Sequence, residues 1–309
     1  MKTYYVSVDG GGTSTEFIIA NKHKEVLKTY TVGSSSYKSV GIEKMLKNLQ
    51  KGFKHIFEDF NIEMKDIEHI VFGLSGLDNQ KDYDLVTNKI LELGIKKEKY
   101  TLMNDSILAY YAQTKGPGFV IILGTGGIIF ALDKNGKTKR ANGWGYSYSD
   151  IGSGYWIGNQ ILYYTLLFCD GVIEYAPIFG KVMSFYKVDN YEDLAYKISE
   201  ISEVKEIASL SRLMTENIDV DDYVIKEIEK KMRIYFSKAV FKLYKEMNFK
   251  EEAKISIVLS GGVFNSQHIR KLIKKSVEEG VDSDKIEYFT QKNSPSLGGI
   301  HLMLDNNIN

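Results

Sequence analysis

The sequence is poor in cysteine and proline and carries no surplus of charge of either sign. Its one cysteine, Cys169, excludes a disulfide framework and a cysteine-rich metal or iron–sulfur site held within one chain. Lysine plus arginine and aspartate plus glutamate each number 40. The chain therefore lacks the basic excess that would indicate nucleic-acid binding. No apolar run approaches the ~20 residues that a membrane helix needs. We therefore expect neither a nucleic-acid partner nor a membrane partner.

The N-terminal residues also lack the basic and then apolar pattern of a secretion signal. A strand-like stretch at residues 4–8 occupies this position, and we expect a cytoplasmic protein. The length of 309 residues is more than one hydrophobic core usually serves, which favours two domains. With only 3 prolines and no low-complexity segment, these domains are expected to be joined without a long linker.

Apolar residues alternate between strand and helix periodicities, which predicts an α/β protein. In the first part of the chain, strands are predicted at residues 4–8, 16–20, 25–32, 67–73 and 100–103, and helices at 41–59, 83–93 and 107–112. In the second part, strands are predicted at 119–123, 128–132, 256–259 and 286–289, and helices at 155–168, 178–186, 191–198, 223–247, 269–277 and 296–304.

Glycine-rich turns directly follow apolar strands at three places. They are Asp9-Gly10-Gly11-Gly12-Thr13, Gly124-Thr125-Gly126-Gly127 and Ser260-Gly261-Gly262. The first two turns are each followed by a strand, a polar turn and another strand, so the same unit is used twice. This repetition predicts two related lobes, each of which offers a glycine-rich turn to a shared cleft.

These turns are suited to phosphate binding because backbone N–H groups can approach a phosphate chain where no Cβ intervenes. Asp9, just before the first turn, can hold Mg²⁺. Each feature has a structural explanation: a single glycine turn is commonly a hairpin, and Asp105 could be a helix N-cap. Three such turns after apolar strands favour phosphoryl transfer. The sequence contains neither a P-loop motif nor a Rossmann fingerprint.

Taken together, the motifs resemble those of the actin, heat-shock chaperone and hexokinase superfamily. Asp9 to Thr13 is similar to its first phosphate motif, Leu123 to Gly126 to the second, and Leu259 to Ser266 to the adenosine motif. Three further segments resemble the BadF/BadG-type branch, which contains N-acetylglucosamine, glucosamine and N-acetylmuramate/N-acetylglucosamine kinases. They are Gly73-Leu74-Ser75-Gly76-Leu77, Asn104-Asp105, and Gly143-Trp144-Gly145 followed by residues 150–158.

The resemblance implies a two-lobed, actin-like (ribonuclease H-like) ATPase fold with ATP and an amino sugar in the cleft between the lobes. Residues 1–114 would form the first lobe, with a C-terminal helix at 296–309 packed back on it, and 115–295 the second. In this interpretation Asp105 is the general base for the sugar 6-hydroxyl and Asp9 positions Mg²⁺. The implied ATP-binding residues are Gly11, Gly12, Thr13, Gly124, Thr125, Gly126, Gly261, Gly262 and Asn265. The implied sugar-binding residues are Ser36, Asn104, Asp105, Gly143, Trp144 and Asp150.

The sequence departs from the family pattern only in the sugar half. Ser36 stands where an asparagine usually reads a sugar hydroxyl, Gly127-Ile128 replaces the usual Ser-Asn, and Ile151 replaces a glutamate. Fewer polar side chains here would remove hydrogen bonds or make room near the ring. We therefore hypothesise that the pocket admits N-acetylmuramate, with its bulky lactyl group, besides N-acetylglucosamine.

Of four alternatives to this function, three stay open and one is excluded by the sequence. A glucosamine kinase is one alternative substrate class, and a non-catalytic nucleotide or sugar sensor is one of another kind. A third is an ATPase whose acceptor is water. The fourth, an ATP-driven dehydratase activator, needs two cysteines per subunit and is excluded by the single Cys169. A homodimer is implied by the resemblance alone.

Overall fold

The computed structural model describes residues 3–216 and 221–305. The chain divides into two compact units: the first contains the residues up to Lys115 together with those from Thr290 onward, and the second is Gly116–Phe289. We call these the first unit and the second unit. Of the C-terminal helix expected at 296–309, residues 306–309 lie outside the described part of the chain.

In the described part of the chain, ten strands form two sheets. The strands are β1 (Tyr4–Gly10), β2 (Ser14–Asn21), β3 (Val26–Gly33), β4 (Ile67–Leu74), β5 (Tyr100–Met103), β6 (Gly118–Leu123), β7 (Gly127–Leu132), β8 (Thr138–Asn142), β9 (Ile255–Ser260) and β10 (Ile286–Thr290). The first sheet has the order β3-β2-β1-β4-β5 and the second the order β10-β9-β6-β7-β8.

The described helices are α1 (Tyr37–Val40), α2 (Ile42–Phe60), α3 (Gln80–Leu91), α4 (Asp105–Tyr111), α5 (Gly154–Cys169), α6 (Pro177–Tyr186), α7 (Tyr191–Ser199), α8 (Val204–Ser209), α9 (Arg212–Thr215), α10 (Tyr223–Glu246), α11 (Gln267–Glu278) and α12 (Ser296–Asp305). Sequence patterns did not predict α8 and α9. Helices of six and four residues are too short to show a helical period.

The two sheets share one topology, which confirms the predicted repeat. In the first sheet, β1–β2 and β2–β3 are antiparallel, whereas β1–β4 and β4–β5 are parallel. In the second, β6–β7 and β7–β8 are antiparallel and β6–β9 is parallel. In each unit, therefore, a hairpin turn and the loop after a parallel strand emerge at the same edge of the sheet.

Each sheet is stabilised by helices whose apolar residues share one face. In α2, Met45, Leu49, Phe53 and Ile56 recur at intervals of three or four and are buried against the first sheet. Burying each such side chain contributes about 1.5–3 kcal/mol. The helix ends at Asn61, whose left-handed backbone lets its N–H reach the Phe57 carbonyl. In the second unit, α5 and α10 supply Ile157, Ile161 and Phe236 to one large core.

The C-terminal helix α12 packs within the first unit, against α4 and strands β1 and β4. Two glycines make this close contact possible. A Cβ on Gly298 would collide with the Leu108 carbonyl oxygen and lie 2.8 Å from the Ala112 nitrogen. A Cβ on Gly299 would collide with the Ser7 hydroxyl. The backbone of α12 therefore lies directly on its neighbours. In the part of the chain that the structure describes, no helix has the length and apolarity needed to cross a membrane.

We predict that Gly298→Ala destabilises the protein, because the new methyl group meets α4 backbone atoms that cannot move aside. Overpacking of this kind costs about 1–3 kcal/mol. Gly124→Ala is the matched control, since a Cβ there meets no atom within 4 Å. Thermal unfolding should show a lower Tm for Gly298→Ala alone. Equal Tm values for the two variants would contradict this account of α12 packing.

Candidate functional site

Three strand ends come together in the first unit. In the register of the parallel strands, Asp9 of β1 stands beside Gly73 of β4, and Gly73 beside Met103 of β5. Asp105 begins α4 two residues after β5 ends. Because ligands of open α/β sheets bind at the carboxyl ends of the strands, this edge is the expected position of a site.

The first glycine turn connects β1 to β2 at this edge. The Gly11 N–H donates to the Ser14 carbonyl at 3.0 Å, and the Ser34 hydroxyl donates to the Gly11 carbonyl at 2.8 Å. Gly12 and Thr13 are exposed. The turn opens on a cavity of about 330 Å³ lined by Asp9, Gly11, Gly12, Thr13, Ser14, Glu16 and Ser294. Its exposed backbone can approach an anion without steric hindrance.

Asp9 is placed where a cation would stabilise it. Burial, the Asp105 carboxylate and the Glu16 carboxylate together raise the pKa of Asp9 to about 7. Among the residues that the structure describes, none donates a hydrogen bond to the Asp9 carboxylate. This carboxylate therefore lies among negative charges without compensation, which Mg²⁺ would supply.

The side chains around this cavity suit Mg²⁺ better than a metal ion whose ligands all come from the protein. Within residues 3–216 and 221–305, no group of three or more histidine, cysteine, aspartate or glutamate side chains could hold a metal. Mg²⁺ is usually bound through one or two carboxylates, with substrate phosphates and water completing its octahedron. Asp9, which lines the 330 Å³ cavity beside the exposed glycine turn, meets this requirement.

Asp105 is the first residue of α4, and the N-cap of this helix is the preceding residue, Asn104. The Asn104 side chain accepts from the Ser106 N–H at 3.0 Å and donates to the Leu77 carbonyl at 3.3 Å. The interpretation of Asp105 as the N-cap is therefore wrong. Burial raises the pKa of Asp105 to about 6; Asp78 adds to the rise, and hydrogen bonds from Ser106 oppose it. A carboxylate with a raised pKa is a stronger base near neutral pH.

Ser36 is buried, 4% exposed, at the start of α1. Its hydroxyl accepts from the Ser39 hydroxyl at 3.2 Å and adjoins Gly76. Two ion pairs fasten α1 to the loop after β4 and to the start of α3, because the Lys38 ammonium lies 2.6 Å from Asp78 and 3.1 Å from Asp82. Sequence reasoning missed this link, since its partners lie about 40 residues apart with no shared motif.

The second glycine turn is the counterpart of the first, between β6 and β7. The Gly154 N–H at the start of α5 donates to the Gly124 carbonyl at 2.7 Å, and the Tyr155 N–H to the Thr125 carbonyl at 3.1 Å. These bonds fix the turn against the helix. A Cβ on Gly126 would lie 2.7 Å from an Asp150 carboxylate oxygen, so a larger residue there would have to displace the Asp150 side chain.

The third glycine segment follows β9 and contacts the second turn. Gly261 has φ +99°, and a Cβ there would collide with the Leu123 carbonyl oxygen and lie 2.9 Å from the Gly124 nitrogen. Gly262 to Asn265 form a short 3₁₀ turn. A cavity of about 760 Å³ is lined by Gly124, Thr125, Gly262 and Asn265 together with Lys205, Ser209, Ser211 and Arg212.

The cationic residues of this cavity, Lys205 and Arg212, were also missed by sequence reasoning. They come from α8 and α9, the two helices that were too short to predict. The Arg212 guanidinium lies 3.8 Å from the Glu216 carboxylate, and both side chains are exposed. Since Glu216 also lines the cavity, Lys205 and Arg212 leave its lining with a small cationic excess, which is suited to a phosphorylated ligand.

The predicted sugar-binding residues of the second unit lie beside its glycine turn. Asp150 is 7% exposed, has φ 58°, and accepts from the Gly145 N–H at 3.2 Å. Gly143 has φ 72° and packs against Ile128. Trp144 is 68% exposed, and the Arg140 guanidinium stacks on its ring at 3.9 Å. Asn142, which sequence reasoning missed, accepts from the Ser149 hydroxyl and the Ile151 N–H and thereby holds this loop.

Comparison with known proteins gives matches over nearly the whole chain. The model of the BadF/BadG/BcrA/BcrD ATPase family matches residues 6–294. The N-acetyl-D-glucosamine kinase of Dictyostelium discoideum is 29% identical over 98% of this chain and 98% of its own length. The N-acetylmuramic acid/N-acetylglucosamine kinase of Clostridium acetobutylicum is 28% identical over 96% of this chain and 97% of its own.

Among solved structures, this chain resembles a provisionally named N-acetylglucosamine kinase from Chromobacterium violaceum. The TM-score is 0.64 at 20% identity, with 97% of this chain and 98% of that chain covered. The likeness concerns the fold, and it confirms the predicted α/β, actin-like class.

We predict that Gly261→Ala disrupts the second unit, because the side chain is strained at positive φ and collides with β6. A strained backbone of this kind costs about 1–3 kcal/mol. Gly262→Ala is the matched control, since its Cβ would meet no atom within 4 Å. Thermal unfolding should separate the neighbouring variants. The account would be overturned if Gly261→Ala melted like the wild type.

Proposed function

The chain belongs to the BadF/BadG/BcrA/BcrD ATPase family, and from this premise we propose that it is an ATP-dependent kinase of an amino sugar. One observation carries the proposal: Asp105, a carboxylate of raised pKa, stands at the strand edge that also holds Asp9 and the first glycine turn. The named activities of the two curated relatives support the same conclusion.

In this proposal, ATP phosphates are bound by the backbone of the two glycine turns. Gly11, Gly12 and Thr13 serve in the first unit, and Gly124, Thr125 and Gly126 in the second. The adenosine is bound in the 760 Å³ cavity beside Gly261, Gly262 and Asn265. Asp9 holds Mg²⁺, which neutralises charge on the phosphates when bound.

Asp105 is the proposed general base. As the sugar 6-hydroxyl oxygen attacks the γ-phosphorus, its proton passes to the Asp105 carboxylate and ADP is the leaving group. Burial raises the pKa of Asp105 and so makes it a better proton acceptor, while Ser106 fixes one of its oxygens at 2.9 Å. The role of the protein is mostly to orient the two reactants and accept this proton.

The acceptor is proposed to be N-acetylglucosamine, N-acetylmuramate, or both. Ser36 and Asn104 would contribute to its pocket from the first unit, and Gly143, Trp144 and Asp150 from the second. The buried Ser36 hydroxyl and the apolar Ile128 offer few hydrogen bonds to the ring, which supports tolerance of a larger substituent. We further propose that the two kinase lobes are the two compact units, and that the protein acts in the cytoplasm, where ATP is available.

The direct test is release of ADP from Mg²⁺–ATP with a panel of acceptors. The panel contains N-acetylglucosamine, glucosamine, N-acetylmuramate, glucose and a control without sugar. We expect turnover that depends on an N-acetylated amino sugar. Release of ADP without sugar would indicate an ATPase, and no release with any acceptor would favour a non-catalytic sensor. Preference for glucosamine would correct the substrate but keep the reaction.

We predict that Asp105→Ala lowers kcat by at least ~10²-fold, the usual contribution of a general base, and leaves ATP binding intact. Asp189→Asn is the control for this substitution, since Asp189 is exposed outside the site. Near-normal kcat in Asp105→Ala would disprove the assigned role.

The wild-type kcat should fall as pH decreases below about 6, because the raised pKa of Asp105 leaves this base protonated there.

A further inference from the structure

We propose that Glu16 is a second carboxylate of the Mg²⁺–nucleotide site, and that Ser294 and Ser296 position it. The inference rests on the proposed function, and it assigns a role to a residue that no sequence motif singled out. It begins with the strand pairing of the first sheet. Glu16 of β2 stands directly opposite Asp9 of β1 in the antiparallel register.

The pairing of two carboxylates across strands is unfavourable by itself. Side chains directly opposite in an antiparallel pair lie about 5 Å apart, and like charges at that distance are destabilising. Asp9 and Glu16 also line the same cavity beside the first glycine turn. A divalent cation in this cavity would turn the repulsion into attraction for both groups.

Glu16 is held in place by the segment that precedes and begins α12. The Ser294 hydroxyl donates to a Glu16 carboxylate oxygen at 2.5 Å, and the Ser296 hydroxyl donates to the same oxygen. Ser296 is fully buried, and its hydroxyl lies 2.9 Å from that of Ser294. Hydrogen bonds to a charged acceptor are among the stronger ones, so they fix the carboxylate beside the cavity.

A purely structural role is the competing explanation, in which Glu16 only fastens α12 to β2. The two roles differ in what they require of the side chain. A glutamine amide oxygen can still accept from both serine hydroxyls, so Glu16→Gln preserves the attachment but removes the charge. If the charge acts on the cation, Glu16→Gln weakens metal binding. If only the attachment matters, Glu16→Gln is silent and Ser296→Ala is destabilising.

The experiment is a titration of Mn²⁺ into protein with the ATP analogue AMPPNP, in which electron paramagnetic resonance reports free Mn²⁺. We expect Glu16→Gln to weaken Mn²⁺ binding by about 10-fold or more, the scale on which supporting groups affect metal sites. Ser296→Ala, which keeps the charge but loosens it, should have a smaller effect in the same direction. Glu58→Gln, on an exposed helix position, is the control for removal of a carboxylate.

The possible outcomes separate this inference from the proposed function. Wild-type Mn²⁺ affinity in Glu16→Gln, with Asp9→Asn weakened, would overturn the role of Glu16 and leave the kinase intact. Failure of the wild-type protein to bind Mn²⁺ with AMPPNP would count against the function itself. Thermal unfolding of each variant identifies any loss of fold, and a folded Glu16→Gln with weak metal binding supports the inference.

Discussion

The parallel pairing of one strand beside an antiparallel hairpin is the constraint on which both units depend. In the first unit it brings Asp9 beside Gly73, and in the second it brings the end of β6 beside the end of β9. Because parallel strands end at the same edge, the hairpin turn and the distant loop meet there without further adjustment. Contact this close requires glycine, as Gly261 shows against Gly124. Packing therefore requires glycine at position 261, whereas a Cβ on Gly124 or Gly262 would meet no atom within 4 Å.

Electrostatics and packing act together at the edge of the first sheet. Asp9, Glu16 and Asp105 lie near one another at this edge. Burial removes the water that would otherwise screen their charges from one another. The result is a group of carboxylates, two of them with a raised pKa, that a cation would stabilise. The segment from Ser294 to Ser296 connects this charge cluster to the helix α12, whose own close packing depends on Gly298. Two serines late in the sequence thus hold the carboxylate of Glu16, which lies early in the sequence.

The sequence predicted the fold class, most strands and the repeated unit, because these depend on local periodicity and on glycine turns. The roles of Asp9, Asp105 and the glycine turns stay predictions that follow from their motifs. Residues joined by tertiary contact could not be found in this way. Lys38 meets Asp78 and Asp82 only after folding, and Glu16 meets Ser294 across almost the entire sequence. Lys205 and Arg212 lie on helices too short to show periodicity.

The raised pKa values of Asp9 and Asp105 have a consequence for the ligand-free protein. Their ordinary pKa is 3.8, whereas the fold raises them to about 7 and about 6. The folded chain therefore binds these protons more tightly than the unfolded chain does. This contribution to stability is complete below pH ~3.8 and is lost as pH rises through 6 and 7. At neutral pH these two carboxyl groups therefore lower the stability of the fold, and a cation that bound to them would offset that loss.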